Sequence, residues 1–328
     1  MRQIVWIDKV APDVFEIVKE LVPEGYRLSM LEEATREHAL KAVASAHHLI
    51  SSGNIRVDGE LLDAAPHLRF VQKWGAGFDV LDLDAIRRRG IPCCNTPGMN
   101  AIAVAEHTLL LMLAVMRRLP VFDGELRSGR FDKWGRRTVC YEAYGKTLGL
   151  VGLGNIGKAV AERARAFGMS VLYHKRRRLT PDEEAALGVE YAPLDELLAA
   201  SDVVSLHLPL SSATRHLIGE QELRRMKPTS ILINTSRGAV VDERALVKAL
   251  ADGWIAGAGL DVFDPEPPAP DNPLWRLENV VVTPHRGGAT VDTLRRTARM
   301  AFDNIVRVDQ GLPLPAHAVL VAPAERTA

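Results

Sequence analysis

The stretch from Lys146 to Arg178, KTLGLVGLGNIGKAVAERARAFGMSVLYHKRRR, decides the fold. It opens with an apolar run of strand length, Thr147 to Val151. G-x-G-x-x-G follows as Gly152, Gly154 and Gly157, and an amphipathic helical pattern runs over about Ile156–Phe167. Gly168 ends that helix, and Ser170–Tyr173 reads as a second strand. A glycine-rich turn between a strand and a helix, inside one βαβ unit, suits a dinucleotide. Gly152 permits the tight turn. Gly154 lets the backbone approach a pyrophosphate, and Gly157 lets helix and strand pack closely. The helix N-terminus, at Asn155 and Ile156, offers free N–H groups and a positive dipole end to the phosphates. Without the flanking strands and helix, the three glycines would indicate only a tight turn.

Outward from this unit the pattern repeats. Downstream, helices at Leu194–Ala200, Gln221–Met226 and Glu243–Asp252 alternate with strands at Val203–Leu208, Ser230–Asn234, Ala256–Leu260 and Val280–Thr283. Upstream, strands at Ile4–Ile7, Leu49–Ile50, Phe70–Gln72 and Ile91–Cys94 alternate with helices at Asp13–Leu21 and Asp82–Arg89. Strands alternating with helices indicate parallel, doubly wound sheets. At 328 residues the chain is long for one core, so two domains are expected. A long apolar helix, Ala101 to about Arg118, opens at Asn100 as its N-cap and is limited by Pro120. Its core, Ala101–Met116, is interrupted by Glu106, His107 and Thr108, so it reads as a buried helix and not a membrane span. A polar connection follows at Arg127–Trp134, a last helix runs over Thr290–Asp309, and the tail from Pro323 reads as frayed.

Composition excludes some partners. The 41 basic and 41 acidic residues balance, which leaves no electrostatic footprint for nucleic acid or a membrane surface. Cys93, Cys94 and Cys140 form neither a CxxC nor an even framework, which suggests a reducing, cytoplasmic setting. The N-terminus lacks a secretory apolar segment. No metal-ligand cluster is evident. His47-His48, on an expected helix, cannot converge on one ion and reads as surface; Cys93-Cys94 reads as strand packing.

Three polar residues lie just past strand ends in the half that carries the glycine turn: Arg237 in NTSRG, Glu266 in DVFDPEP and His285 in TPHRGG. Ligands of open α/β sheets bind beyond the carboxyl ends of strands, so all three are placed to face one crevice. Singly, each has a structural explanation; together, behind a dinucleotide turn, they form a candidate catalytic set.

The motifs GAGFDVLDLDAI, NTPGMNAIAVAEHTLLLML, GLVGLGNIG, NTSRGAVVDERALVKAL, AGLDVFDPEP and TPHRGGAT, in that order from about Phe70 to Arg307, resemble the D-isomer-specific 2-hydroxyacid dehydrogenase family. The resemblance implies two doubly wound parallel-sheet α/β domains. A Rossmann dinucleotide domain, residues 100–289, would be inserted into a flavodoxin-like substrate domain built from residues 1–99 and 290–328. It implies NAD(P)-dependent transfer of a hydride between nicotinamide and a small 2-keto or 2-hydroxy acid, such as glyoxylate or hydroxypyruvate, by a homodimer. It implies that Arg237 binds the substrate, that His285 is the acid/base with Glu266 as its partner, and that N–H groups around Ala76 and Gly77 hold the carboxylate. It further implies that Val104, Leu208, Pro209, Thr235, Asp261, His285 and Gly287 lie along the cofactor with the glycine turn.

The chemistry agrees. A keto acid takes a hydride on carbon and a proton on oxygen. A histidine can supply the proton, a neighbouring carboxylate favours its protonated form, and a guanidinium matches a carboxylate with paired hydrogen bonds. Two relatives of other function share the pattern: cofactor-sensing corepressors, and dehydrogenases of acids such as phosphite.

One departure bears on the cofactor. The acidic residue usual after the second strand, which accepts ribose hydroxyls, is absent; the stretch reads Tyr173-His174-Lys175-Arg176-Arg177-Arg178. Lys175 and Arg176 there suit a 2′-phosphate, so NADP is the expected cofactor ahead of NAD. Arg286, directly after His285, adds charge near the site's mouth, to meet an acidic substrate or to face solvent.

Overall fold

The computed structural model describes residues 1–323; the tail beyond Pro323 lies outside the described residues. The chain forms two compact units, Met1–Asn100 together with the stretch from Ala289 onward, and Ala101–Gly288.

In the first unit, strands β1 (Arg2–Trp6), β2 (Tyr26–Met30), β3 (His48–Ser51), β4 (Phe70–Lys73) and β5 (Cys93–Cys94) pair in the order β5-β4-β3-β1-β2, all parallel. A strand at Val319–Val321 adds antiparallel to β5. The sheet is therefore mixed at one edge, where that short strand covers the open hydrogen-bonding side of β5. Alternate residues feed two cores. Ile4, Trp6, Phe70 and Cys94 pack on one face, and Val5, Ile7, Val71 and Cys93 on the other, as a period of two requires.

This unit corrects one expectation. His48 is not a surface residue on a helix: it opens β3 and is fully buried. Its Nε2 lies 2.9 Å from Asp309 Oδ2, which also accepts from Tyr26 Oη at 2.7 Å and pairs with Arg2 at 2.5 Å. Two adjacent histidines look like polar surface by composition, but a strand alternates its faces, so His48 turns inward and takes a buried partner.

In the second unit, β6 (Thr147–Val151), β7 (Ser170–His174), β8 (Glu190–Tyr191), β9 (Val203–Leu206), β10 (Ile231–Asn234), β11 (Gly257–Leu260) and β12 (Val280–Val282) form one parallel sheet, ordered β12-β11-β10-β9-β6-β7-β8. The order reverses between β6 and β9, which opens a crevice beyond their carboxyl ends. The long apolar helix Ala101–Met116 packs against the helix Asn155–Ala166 and strands β10 to β12. It ends at Met116, two residues short of the expected Arg118. Arg118 adopts a left-handed φ of 52°, and a second helix, Leu119–Arg127, starts with Pro120 in its first turn. The expectation took proline only as a stop; a first turn needs no N–H from it, so it also starts a helix. Among the described residues no helix is long and apolar enough to cross a membrane.

Candidate active site

The glycine turn links β6 to the helix Asn155–Ala166. Gly152 has φ 100°, and a Cβ there would stand 2.4 Å from the carbonyl oxygen of His207, so only glycine fits. Gly154 caps the helix without a side chain, and the first bond into the helix is Lys158 N to Gly154 O at 3.0 Å. The N–H groups of Asn155, Ile156 and Gly157 thus have no partner within the helix. A Cβ on Gly154 would meet no protein atom within 4 Å, which leaves the approach to those N–H groups open to a diphosphate. Leu208 and Pro209 follow β9, the latter exposed. Past β7, Lys175 is half-buried and Arg176 exposed, whereas Arg178 is held by Glu184 at 2.8 Å. Val104 and Thr235 are buried, and the Thr235 hydroxyl lies 3.1 Å from that of Thr108.

The three candidate catalytic residues follow neighbouring strands. Arg237 lies past β10 in an extended conformation. The carbonyl of Arg237 accepts from Asn234 Nδ2 at 2.9 Å, and its Nη1 donates to Ser236 O at 2.8 Å. Gly238 comes next, where a Cβ would stand 2.0 Å from the carbonyl of Phe263. That contact lets the loop bearing Arg237 lie directly on the loop that leads to Glu266. His285, past β12, also takes a left-handed φ, 53°. Its Nδ1 is 2.8 Å from Glu266 Oε2, and both side chains are partly exposed, 51% and 38%. No described residue takes His285 Nε2. Burial pushes the Glu266 carboxyl up, but hydrogen bonds from His285 and the Phe263 N–H, with the nearby charge of Arg237, outweigh it and hold the group below the usual carboxylate range.

Asp261, at the end of β11, is buried. Its Oδ1 accepts from Thr283 Oγ1 at 2.6 Å and from the N–H of Arg286 at 2.7 Å, and its Oδ2 accepts from the N–H of Gly287 at 2.8 Å. The N–H of His285 donates to the Asp261 carbonyl at 2.8 Å. The residue expected along the cofactor thus also clamps the turn that carries His285. Here burial pushes the carboxyl up, and the donors from His107, Thr283, Arg286 and Gly287 bring it below its usual range. The side chain of Arg286 is exposed.

Two residues of this surround carry no functional reading in the sequence. His107 and Thr108 stand there only as polar breaks in an apolar helix. Both reach the strand ends, His107 Nε2 lying 2.8 Å from Thr283 Oγ1. Consecutive polar residues in an otherwise buried apolar helix were the available signal, since such groups need partners. Among the described residues no group of three or more His, Cys, Asp or Glu is placed to hold a metal ion.

In the first unit, the loop after β4 turns its carbonyls inward. Trp74 O accepts from Lys73 Nζ at 2.6 Å, Gly75 O from Thr96 N at 3.1 Å, and Ala76 O from Asn95 Nδ2 at 2.8 Å. The N–H groups of Ala76 and Gly77 have no partner among the described residues.

The switch in strand order puts the glycine turn on the rim of a ligand crevice, which defines the class: a dinucleotide-binding α/β protein. Residues 109–287 match the family model for the NAD binding domain of D-isomer specific 2-hydroxyacid dehydrogenases. A glyoxylate reductase of Korarchaeum cryptofilum is 47% identical over 295 residues, 88% of this chain and 89% of that protein. The crystal structure of the TT0316 protein from Thermus thermophilus superposes with a TM-score of 0.87 at 39% identity, covering 97% of this chain and 100% of that one. An acyclic imino acid reductase in complex with NADPH and D-Arg superposes with a TM-score of 0.83 at 29% identity, covering 97% and 100%. The chain belongs to the D-isomer specific 2-hydroxyacid dehydrogenase family. It is an enzyme, a 2-hydroxyacid oxidoreductase with an NAD(P)-binding domain.

Proposed function

We propose that this enzyme reduces small 2-keto acids to D-2-hydroxy acids, glyoxylate and hydroxypyruvate first among them, with NADPH preferred over NADH. The observation that carries the reading is the His285–Glu266 pair: Nδ1 is held by a carboxylate at 2.8 Å while no described residue takes Nε2. Glu266 fixes the ring, and Nε2–H hands its proton to the keto oxygen. Arg237 binds the substrate carboxylate and polarises the carbonyl. The N–H groups of Ala76 and Gly77, without partners among the described residues, are the donors we assign to a substrate carboxylate in the first unit. When bound, the nicotinamide supplies the hydride. The unit Ala101–Gly288 holds the dinucleotide, and the unit formed by both chain ends holds the keto acid. The relative named glyoxylate reductase supports the substrate class.

Lys175 and Arg176 support the cofactor preference, because a 2′-phosphate is bound by cations and repelled by the acid that is missing here. The test is a panel of glyoxylate, hydroxypyruvate and pyruvate, assayed with NADPH and NADH. Turnover of none of the three overturns the substrate reading. For the cofactor, Lys175→Asp/Arg176→Ala is expected to shift the ratio of kcat/KM values toward NADH by on the order of 10- to 100-fold, the worth of one or two charged hydrogen bonds. A wild-type preference for NADH that the double substitution leaves unchanged removes these cations from ribose recognition.

A homodimer is the proposed assembly. Leu119, Leu126, Phe131 (82% exposed) and Trp134 (70% exposed), in the stretch that follows the helix Ala101–Met116, leave apolar surface, and Ile102 and Leu110 of that helix are also exposed. Light scattering at micromolar concentration checks it; a monomer mass argues against it. A reducing, cytoplasmic setting is supported by three unpaired cysteines, of which Cys93 and Cys94 are buried.

A further inference from the structure

His107 projects from the long apolar helix into a chain of hydrogen bonds that ends at the turn of His285. The directions along the chain follow from hydrogen inventory. Thr283 Oγ1 donates to Asp261 Oδ1 at 2.6 Å, so its single hydrogen is used. The 2.8 Å contact from His107 Nε2 must then be a donation from the ring to the threonine oxygen, which fixes the hydrogen on Nε2. His107 Nε2 also lies 3.4 Å from Asp261 Oδ1. Asp261 in turn accepts from the N–H groups of Arg286 and Gly287, the two residues after His285.

The turn needs this support. His285 carries a Cβ in a left-handed conformation, which L-residues adopt only where the surroundings over-determine it. Asp261 is a buried carboxylate, and such a group keeps one orientation only while donors occupy its oxygens. Gly287 leaves no slack: a Cβ there would stand 2.9 Å from Asp261 Oδ2 and 3.5 Å from His107 Cδ2. The three elements are packed at contact distance, so a change at His107 reaches the turn directly.

We propose that His107, acting through Thr283 and Asp261, is a positioning residue for the acid/base His285, setting the turn on which the imidazole meets the substrate. The proposal rests on the assignment of His285 as the acid/base. His107 touches no reacting atom; it orients the group that does. Thr283 is the middle of the relay and shares the role.

The test uses two pairs of substitutions in the full-length enzyme. His107→Leu removes the donor; His107→Gln returns an N–H near the position of Nε2. Thr283→Val removes the hydroxyl; Thr283→Ser returns it. His107→Leu and Thr283→Val are expected to lower kcat by on the order of 10- to 100-fold, the effect of a small misplacement of a catalytic group, with the keto-acid KM little changed. The Gln and Ser variants recover most of the loss. A purely structural role predicts instead a lower Tm with kcat preserved. A folded His107→Leu protein with wild-type kcat, or a Gln variant as impaired as the Leu variant, overturns the proposal. If His107→Leu does not fold, the Val and Ser variants at Thr283 decide by the same criteria. His285→Ala separates the two levels: normal turnover there defeats the acid/base assignment itself, whereas an inactive His285→Ala beside a fully active His107→Leu defeats only the relay.

Discussion

Among the described residues, two of the histidine–carboxylate pairs have almost the same length and opposite character. His285 and Glu266 are 2.8 Å apart with both side chains partly open to solvent. His48 and Asp309 are 2.9 Å apart with both side chains sealed, 0% and 1% exposed. Asp309 also accepts from Tyr26 and Arg2, so the buried pair is one edge of a network tying the helix Val291–Gln310 to β1, β2 and β3. Glu266 has one side-chain donor, His285, and one backbone donor, the N–H of Phe263. The lesson is that distance does not distinguish a proton donor from a structural tie. What differs is access: each ring has one nitrogen held by a carboxylate, but the ring at His285 is half open to solvent, while the ring at His48 is sealed from any substrate.

The comparison breaks most simply at the histidines. His285→Ala is expected to lower kcat by on the order of 10²- to 10⁴-fold while dinucleotide affinity, measured by fluorescence titration, stays near wild type. His48→Leu should leave kcat untouched; an inactive, folded His48→Leu protein would show that the buried pair is not merely structural.

The carboxylates sharpen the same contrast. Glu266→Gln is expected to cost on the order of tenfold or more in kcat with little change in denaturation midpoint, since under the proposed function the group orients the acid/base His285 from an exposed loop. Asp309→Ala should reverse the pattern, losing about 1–3 kcal/mol of stability with kcat retained, because it strands buried donors of Tyr26 and His48. Urea unfolding and steady-state kinetics on both variants check this.

The smallest effect is the pH dependence of stability. Burial lowers the pKa of His48 below its ordinary 6.5, despite the opposing pull of Asp309. For Asp309, burial raises the carboxyl but the bond from Tyr26 and the charges of His48 and Arg2 bring it below its ordinary 3.8. In both cases the unfolded chain binds the proton more readily, so stability rises with pH. The contribution of His48 is complete above its ordinary value and lost as pH falls toward its folded value. That of Asp309 is likewise complete above its ordinary value and lost below it. The unfolding midpoint should therefore fall on acidification from neutral pH, and less steeply in His48→Leu.

Much of the second unit is legible in the sequence because its signals are local. A strand, a glycine turn and a helix within Thr147–Ala166 interact with their own neighbours, so spacing alone reports them. The motifs around Arg237, Glu266 and His285 are likewise readable as strand ends. Their convergence required the parallel order of β10, β11 and β12, which brings together residues far apart in sequence. The first unit is less legible: β2, the helix Arg36–Val43 and the edge strand Val319–Val321 escape a reading from spacing, as short elements with mixed polarity carry weak periodicity.

By itself the sequence determined the class of the fold, the dinucleotide turn and the identity of the polar residues past the strand ends, because each depends on residues adjacent in the chain. Only the tertiary structure decided what those residues touch. It buried His48 against Asp309, set Gly238 on the Phe263 carbonyl, and tied His107 through Thr283 to Asp261. The physical reason is that a polar group's role follows from its burial and its partner, and both are set by elements that the chain brings together only on folding.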